Sequence, residues 1–162
     1  MTTKTTPTLA AETWVRPATI KGNLTRLSLL EKTALGISGA TAFGIGAFIL
    51  AAPHAFYASY GITLGDNASL LSELRAPGAG LAVCGALMLA GLWRAAMVPV
   101  SIAMALTVFL AFPAGRLVGL VVDGVPAGGI LGALILELVV AALCIFAFGG
   151  RLSRARAGLS MT

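Results

Sequence analysis

Apolar residues in this chain do not alternate with polar ones; they run on for long stretches, four times over, between short polar interruptions. The runs occupy residues 33–52, 76–93, 96–120 and 127–149. Each is near or above the roughly 20 residues that a 30 Å hydrocarbon core requires of a helix. Lipid offers backbone N–H and C=O groups no partner outside their own segment, so each run predicts a transmembrane helix. The link between the second and third runs is very short, which makes those two antiparallel neighbours. The expected fold is all-α, a polytopic membrane protein built as an antiparallel four-helix transmembrane bundle over residues 33–149. A polar, basic tail (1–32) precedes it and a basic tail (150–162) follows.

Between the runs the polar positions predict turns and interfacial segments. Residues 1–22 are rich in Thr, Ala and Pro and lack apolar periodicity, which reads as a tail with Trp14 at the interface. Asn23 or Thr25 is a candidate cap for the helix that enters the membrane. Pro53 ends the first span, and His54, Phe56, Tyr57 and Tyr60 form an aromatic belt. Asn67 is placed to cap a short surface segment, ASLLSELR, that ends before Pro77. Proline biases its predecessor away from helix, so Glu73 and Arg75 are expected on a break. Pro113 is expected to kink the third span just before Gly115 and Arg116. Asp123-Gly124 and Pro126 make the last reversal.

Small residues recur at helical spacing within the spans. Gly36, Ala40 and Gly44 in the first, Gly78, Ala82 and Ala86 in the second, and Gly128 and Gly132 in the fourth predict close helix packing. Cys84 and Cys144 differ in expected depth by roughly 13 Å, at 1.5 Å per residue, too far for a disulfide. They read as small packing residues.

Composition agrees with a membrane class: 58% of the 162 residues are hydrophobic and 10% charged. The net charge of +5 is a topology signal. Lys4, Arg16, Lys21, Arg26, Lys32, Arg94, Arg151, Arg154 and Arg156 all fall on one predicted side, and only Arg75 and Arg116 on the other. The positive-inside rule then puts both termini in the cytoplasm and the two longer loops outside. No aromatic platform is interleaved with these bases, so a nucleic-acid partner is not expected. The first apolar run follows some 30 polar residues and is longer than the 7 to 15 of a signal core, which argues against a cleaved leader, although ILAAPHA offers small residues at a cleavage point.

One charge is out of place. Glu137 lies near the middle of the fourth span, where an ionised side chain costs roughly 2.5 to 3.5 kcal/mol on insertion scales and needs a partner. Arg116, Gly119, Leu120 and Asp123 share a face of the third span. Counting residues from the turn puts Arg116 and Glu137 within roughly 5 Å of each other in depth, so they are the first expected pair. With Glu73, Arg75 and Asp123 they make a candidate cluster of three acids and two bases. The extra carboxylate would have to be protonated, bind a cation or meet a ligand. The plainer alternative leaves Glu73 and Asp123 solvated and Arg116–Glu137 as a structural pair.

No catalytic constellation or cofactor motif is evident. His54 is the only histidine, and a metal site would need Asp66, Glu73 or Asp123 to join it at no recognisable ligand spacing. Met88, Met97 and Met104 are too scattered for a copper site. The glycines of GISGATAFGIG lie inside a span and are packing residues.

At LLSELRAPGAGLAVCGALML, GRLVGLVVDG and ILELVVAALCIF the chain resembles a bacterial family of small four-helix integral membrane proteins known as domain-of-unknown-function family 4345. The likeness covers roughly residues 33–149 and rests on the Glu73, Arg75 step, the Gly115-Arg116 and Asp123-Gly124 spacing, and Glu137. The family more often has an aromatic-glycine pair where this chain has Pro77 and Gly78. The resemblance implies the architecture and no known activity.

The leading expectation is a non-enzymatic accessory or ligand-binding component, partnered by the lipid bilayer and by a second copy or a larger membrane complex. A small proton-linked transporter using Glu137 is the alternative. A membrane enzyme acting on a lipid or quinone comes third.

Overall fold

The computed structural model describes residues 26–159 of the chain. The candidate caps Asn23 and Thr25, the interfacial Trp14 and the bases Lys4, Arg16 and Lys21 lie outside the described residues. Five α-helices and a 3-10 turn follow one another: α1 (Leu29–Ala51), α2 (Pro53–Ala58), α3 (Ala68–Trp93), the turn Ala95–Met97, α4 (Val98–Val122) and α5 (Gly128–Leu159). Among the described residues, four helices are long and apolar enough to cross a membrane: α1, α3, α4 with its preceding turn, and α5 as far as Arg151.

The ends of these helices differ from expectation for local reasons. Helix α1 begins at Leu29, four residues before the apolar run, because Ser28 and Glu31 form a capping box. The Glu31 N–H donates to Ser28 Oγ at 3.3 Å and the Ser28 N–H to Glu31 Oε2 at 2.6 Å. Asn67 does act as a cap, its Oδ1 accepting from the Ser69 and Leu70 N–H groups at 2.9 and 3.1 Å.

The helix that Asn67 starts does not stop at Pro77. Helix α3 runs unbroken from Ala68 to Trp93 with Pro77 inside it, so ASLLSELR is its first two turns and not a separate surface segment. The proline forfeits one hydrogen bond, to the Glu73 carbonyl, but the next residue, Gly78, is locked against Ile49 and Gly46 of α1. Helix α4 likewise continues through the buried Pro113, and α5 continues past residue 149, so the expected C-terminal tail starts as helix.

Glycine sets the closest contact in the bundle, between α1 and α3. A Cβ at Gly46 would lie 2.3 Å from Ala82 N and 2.5 Å from Gly78 O, and one at Gly85 would lie 2.3 Å from Phe43 N. Gly39 meets Leu89 and Gly85. Partner numbers on α3 therefore fall as those on α1 rise. The backbones touch because these four positions carry no side chain.

This face is only partly the expected one. Gly78 and Ala82 lie in it, but a Cβ at Gly36, Gly44, Gly128 or Gly132 would meet nothing within 4 Å, and Ala40 and Ala86 are exposed. On α1 the packed face is Gly39, Ala42 and Gly46, centred about 130° round the helix from the Gly36, Ala40, Gly44 stripe at 100° per residue. At the fourth span the contact glycine is Gly129, against Tyr60.

The core lies where all four long helices meet: Leu35, Ala42, Met88, Val98, Ala105, Phe109, Val140, Cys144 and Phe148 are buried. Cys84 and Cys144 are both unpaired thiols. Ser101, buried on α4, donates to the Leu87 carbonyl of α3 at 2.6 Å and fills the space beside Gly91.

Candidate functional site

Two acid-base pairs lie within the bundle, one towards each end. At the end where α4 turns into α5, Arg116 Nε donates to Glu137 Oε1 at 3.0 Å and to Oε2 at 2.9 Å. The Glu137 side chain is 10% exposed and that of Arg116 is 33% exposed. Depth counting along α4 and α5 brings these two residues together in sequence, and the helices bring them together in space.

The remaining three charges of the expected cluster do not converge on them. Glu73 and Arg75 are exposed. On the continuous helix α3 the face towards the bundle is Leu74, Gly78 and Leu81, and residues 73 and 75 stand about 100° to either side of Leu74. Asp123 is exposed too, and makes no ion pair among the described residues. Its carboxylate leans back along α4, with Oδ2 3.6 Å from where a Gly119 Cβ would stand.

Arg116 and Glu137 border a cavity of about 280 Å³ lined by residues of α1, α2, α3, α4 and α5 and of the α2–α3 loop. Its walls are mostly apolar: Ile45, Ile49, Leu81, Phe109, Phe112 and Leu136 among others. Tyr57 and Tyr60 close it at the loop end, where α2 folds back over the bundle. Phe56 holds that corner together, its ring packing edge-on against Phe48 at 5.5 Å and Tyr57 at 5.3 Å, and tilted on Tyr60 at 5.1 Å. Gly129 lets Tyr60 sit directly on α5.

Burial pushes the Tyr57 phenol above its usual value, and the nearby Arg116 guanidinium pulls in the opposite direction. The hydroxyl is therefore a neutral donor beside Arg116 at neutral pH. A smaller cavity of about 170 Å³ also borders Arg116, lined by Gly119, Asp123, Gly124, Ile130 and Leu134 among others. Arg116 and Ile130 border both cavities.

The second pair escapes the sequence reading altogether. Glu31, 6% exposed, accepts from Arg151 of α5, through Nε to Oε1 and through Nη2 to Oε2 at 3.0 Å; Nη2 also donates to the Arg26 carbonyl. It ties the first and last spans at their terminal end. The signal is present as Ser28-x-x-Glu31, the capping-box spacing, but Glu31 stands among five bases and looks like an ordinary solvated charge.

His54 Nε2 lies 3.4 Å from Asp66 Oδ1 on the exposed surface. Neither Glu73 nor Asp123 joins them; among the described residues no group of three His, Cys, Asp or Glu side chains is placed to hold a metal ion.

Residues 30–148 match the family described as a domain of unknown function, DUF4345. The chain belongs to that family. No curated protein and no solved structure matches it.

Proposed function

We propose that this DUF4345 protein is a ligand-binding component of a bacterial inner membrane, with both termini in the cytoplasm and the loop end facing outward. The supporting observation is the 280 Å³ cavity among the long helices, mostly apolar in its lining and bordered by Arg116 and Glu137. Such a space suits a single apolar tail with a small polar head. Its few polar groups are of the kind that fix a head in place, while lipid-like walls take the tail. A chemical step would need a nucleophile or cofactor beside the cavity, and its border supplies a guanidinium, a carboxylate, two phenols and Thr41.

Native mass spectrometry of the full chain in mild detergent tests this reading. A bound amphiphile of defined mass should survive release from the micelle, and Ala133→Phe, which fills the cavity wall, should abolish it. A bare chain under conditions that preserve lipid adducts on other membrane proteins would refute it.

One observation favours an accessory role beside another membrane chain. The Gly36, Ala40 and Gly44 stripe is left uncovered within this chain, and small residues at this spacing let a second helix approach closely. Blue-native electrophoresis should then give a mass above a single chain. A mass of one chain with no co-purifying protein would contradict the accessory reading.

A further inference from the structure

The donors and charges around the cavity discriminate between classes of head group. Arg116 spends only its Nε on Glu137. Its two Nη groups, with four N–H donors, have no acceptor among the described residues. The Tyr57 hydroxyl adds a neutral donor at the same corner. With the Nη groups open, this corner of the wall offers more N–H donors than Glu137 takes up.

Charge decides what kind of acceptor fits. Glu137 already neutralises Arg116, and Asp123 lies beyond Arg116 on the border of the adjoining cavity. Arg75 is exposed and lines neither cavity, and His54 is turned to Asp66 on the surface. Among the described residues no further cation borders either cavity to compensate an incoming anion. In a low-dielectric setting a carboxylate or phosphate head would meet Glu137 and Asp123 without a free countercharge. A cationic head would meet the guanidinium.

Resting on the ligand-binding reading above, we infer that the cavity selects an uncharged single-tailed amphiphile whose head presents carbonyl oxygen to the Arg116 Nη groups, and that Glu137 sets this preference by neutralising Arg116. Glu137 is then a specificity determinant rather than a proton carrier. The apolar walls accept any tail of suitable length, so discrimination resides in the head.

Three probes sharing one tail test this: methyl oleate, oleamide and oleate, each added to the full chain in dodecylmaltoside at pH 9 and read by native mass spectrometry and by thermal unfolding. The wild type should retain the ester and the amide at least about tenfold more tightly than oleate, a difference of one decade in Kd. Glu137→Gln leaves the guanidinium uncompensated and should reverse the order in favour of oleate. Preference of the wild type for oleate would overturn the inference and leave the ligand-binding reading intact. Binding of none of the three, together with a bare chain as purified, would sink the ligand-binding reading itself. Unchanged head-group order in Glu137→Gln would remove Glu137 from the specificity argument. The comparison of heads in the wild type stands even if that variant does not fold.

Discussion

Arg116 donates through a single Nε to both Glu137 carboxylate oxygens, at 3.0 and 2.9 Å, and its Nη groups make no hydrogen bond among the described residues, while the residue borders both cavities. A pair made only for stability would more commonly use the two-nitrogen fork, in which each oxygen has its own N–H. The geometry closes the charge without consuming the donors, and this is what a binding wall requires.

The pair nevertheless carries structural weight. Arg116→Leu or Glu137→Leu alone strands a charge inside the bundle and should destabilise by about 3 to 5 kcal/mol. The double variant strands none and should be milder than either. A double-mutant cycle by denaturant unfolding in mixed micelles checks it, and additive losses would show that the two side chains do not depend on each other.

Glycine substitutions separate the packed face from the uncovered one. Gly46→Ala and Gly85→Ala push a methyl group into the backbone of the neighbouring helix, where nothing short of helix separation makes room, and should cost about 3 kcal/mol or more. Gly36→Ala and Gly44→Ala meet open space and should leave the fold as stable or slightly more so, since alanine is the better helix former by up to about 1 kcal/mol. Thermal unfolding of the four variants in one detergent reads both halves.

Tyr57 offers a spectroscopic check on the loop end. The chain has two tyrosines, so absorbance at alkaline pH can be resolved by comparing the wild type with Tyr57→Phe. The Tyr57 phase should come above the usual value of about 10. Arg116→Leu removes the opposing influence and should move it higher still. Because the folded value is raised, the folded state holds this proton more tightly than the unfolded chain, and the associated stability is lost as pH rises through and beyond about 10. Ionisation of Tyr57 unaltered by Arg116→Leu would place the two groups apart.

At the terminal end, Ser28→Ala removes one cap and should cost about 1 kcal/mol. Glu31→Ala removes both the cap and the acceptor for Arg151, and should cost more. Hydrogen exchange at the first turn of α1 reports both, with faster exchange expected in the order wild type, Ser28→Ala, Glu31→Ala.

The long elements could be read from the chain because each is a single apolar run, and depth along a helix is a matter of counting; Arg116 and Glu137 meet for that reason. What counting does not give is rotation. Helix α1 carries glycines at 36, 39, 44 and 46, and nothing in their spacing tells which face meets α3. Pro77 misleads in the other direction, since the local bias of the preceding residue is outweighed by the contact of Gly78 with α1. Tyr57 and Tyr60 read as an interfacial belt because six-residue α2 gives no sign in sequence that it folds over the bundle and closes a cavity. Expecting a cluster of five charges follows from their nearness to one end; only the phase of α3 shows that Glu73 and Arg75 face away.

An experimental density map of the full chain purified without added lipid examines the site most directly. A ligand-binding protein should show elongated non-protein density between Phe109, Phe112 and Leu136, ending in a head within hydrogen-bond distance of the Arg116 Nη groups. An empty cavity with those groups turned onto Asp123 would contradict it and leave Arg116–Glu137 as a structural lock.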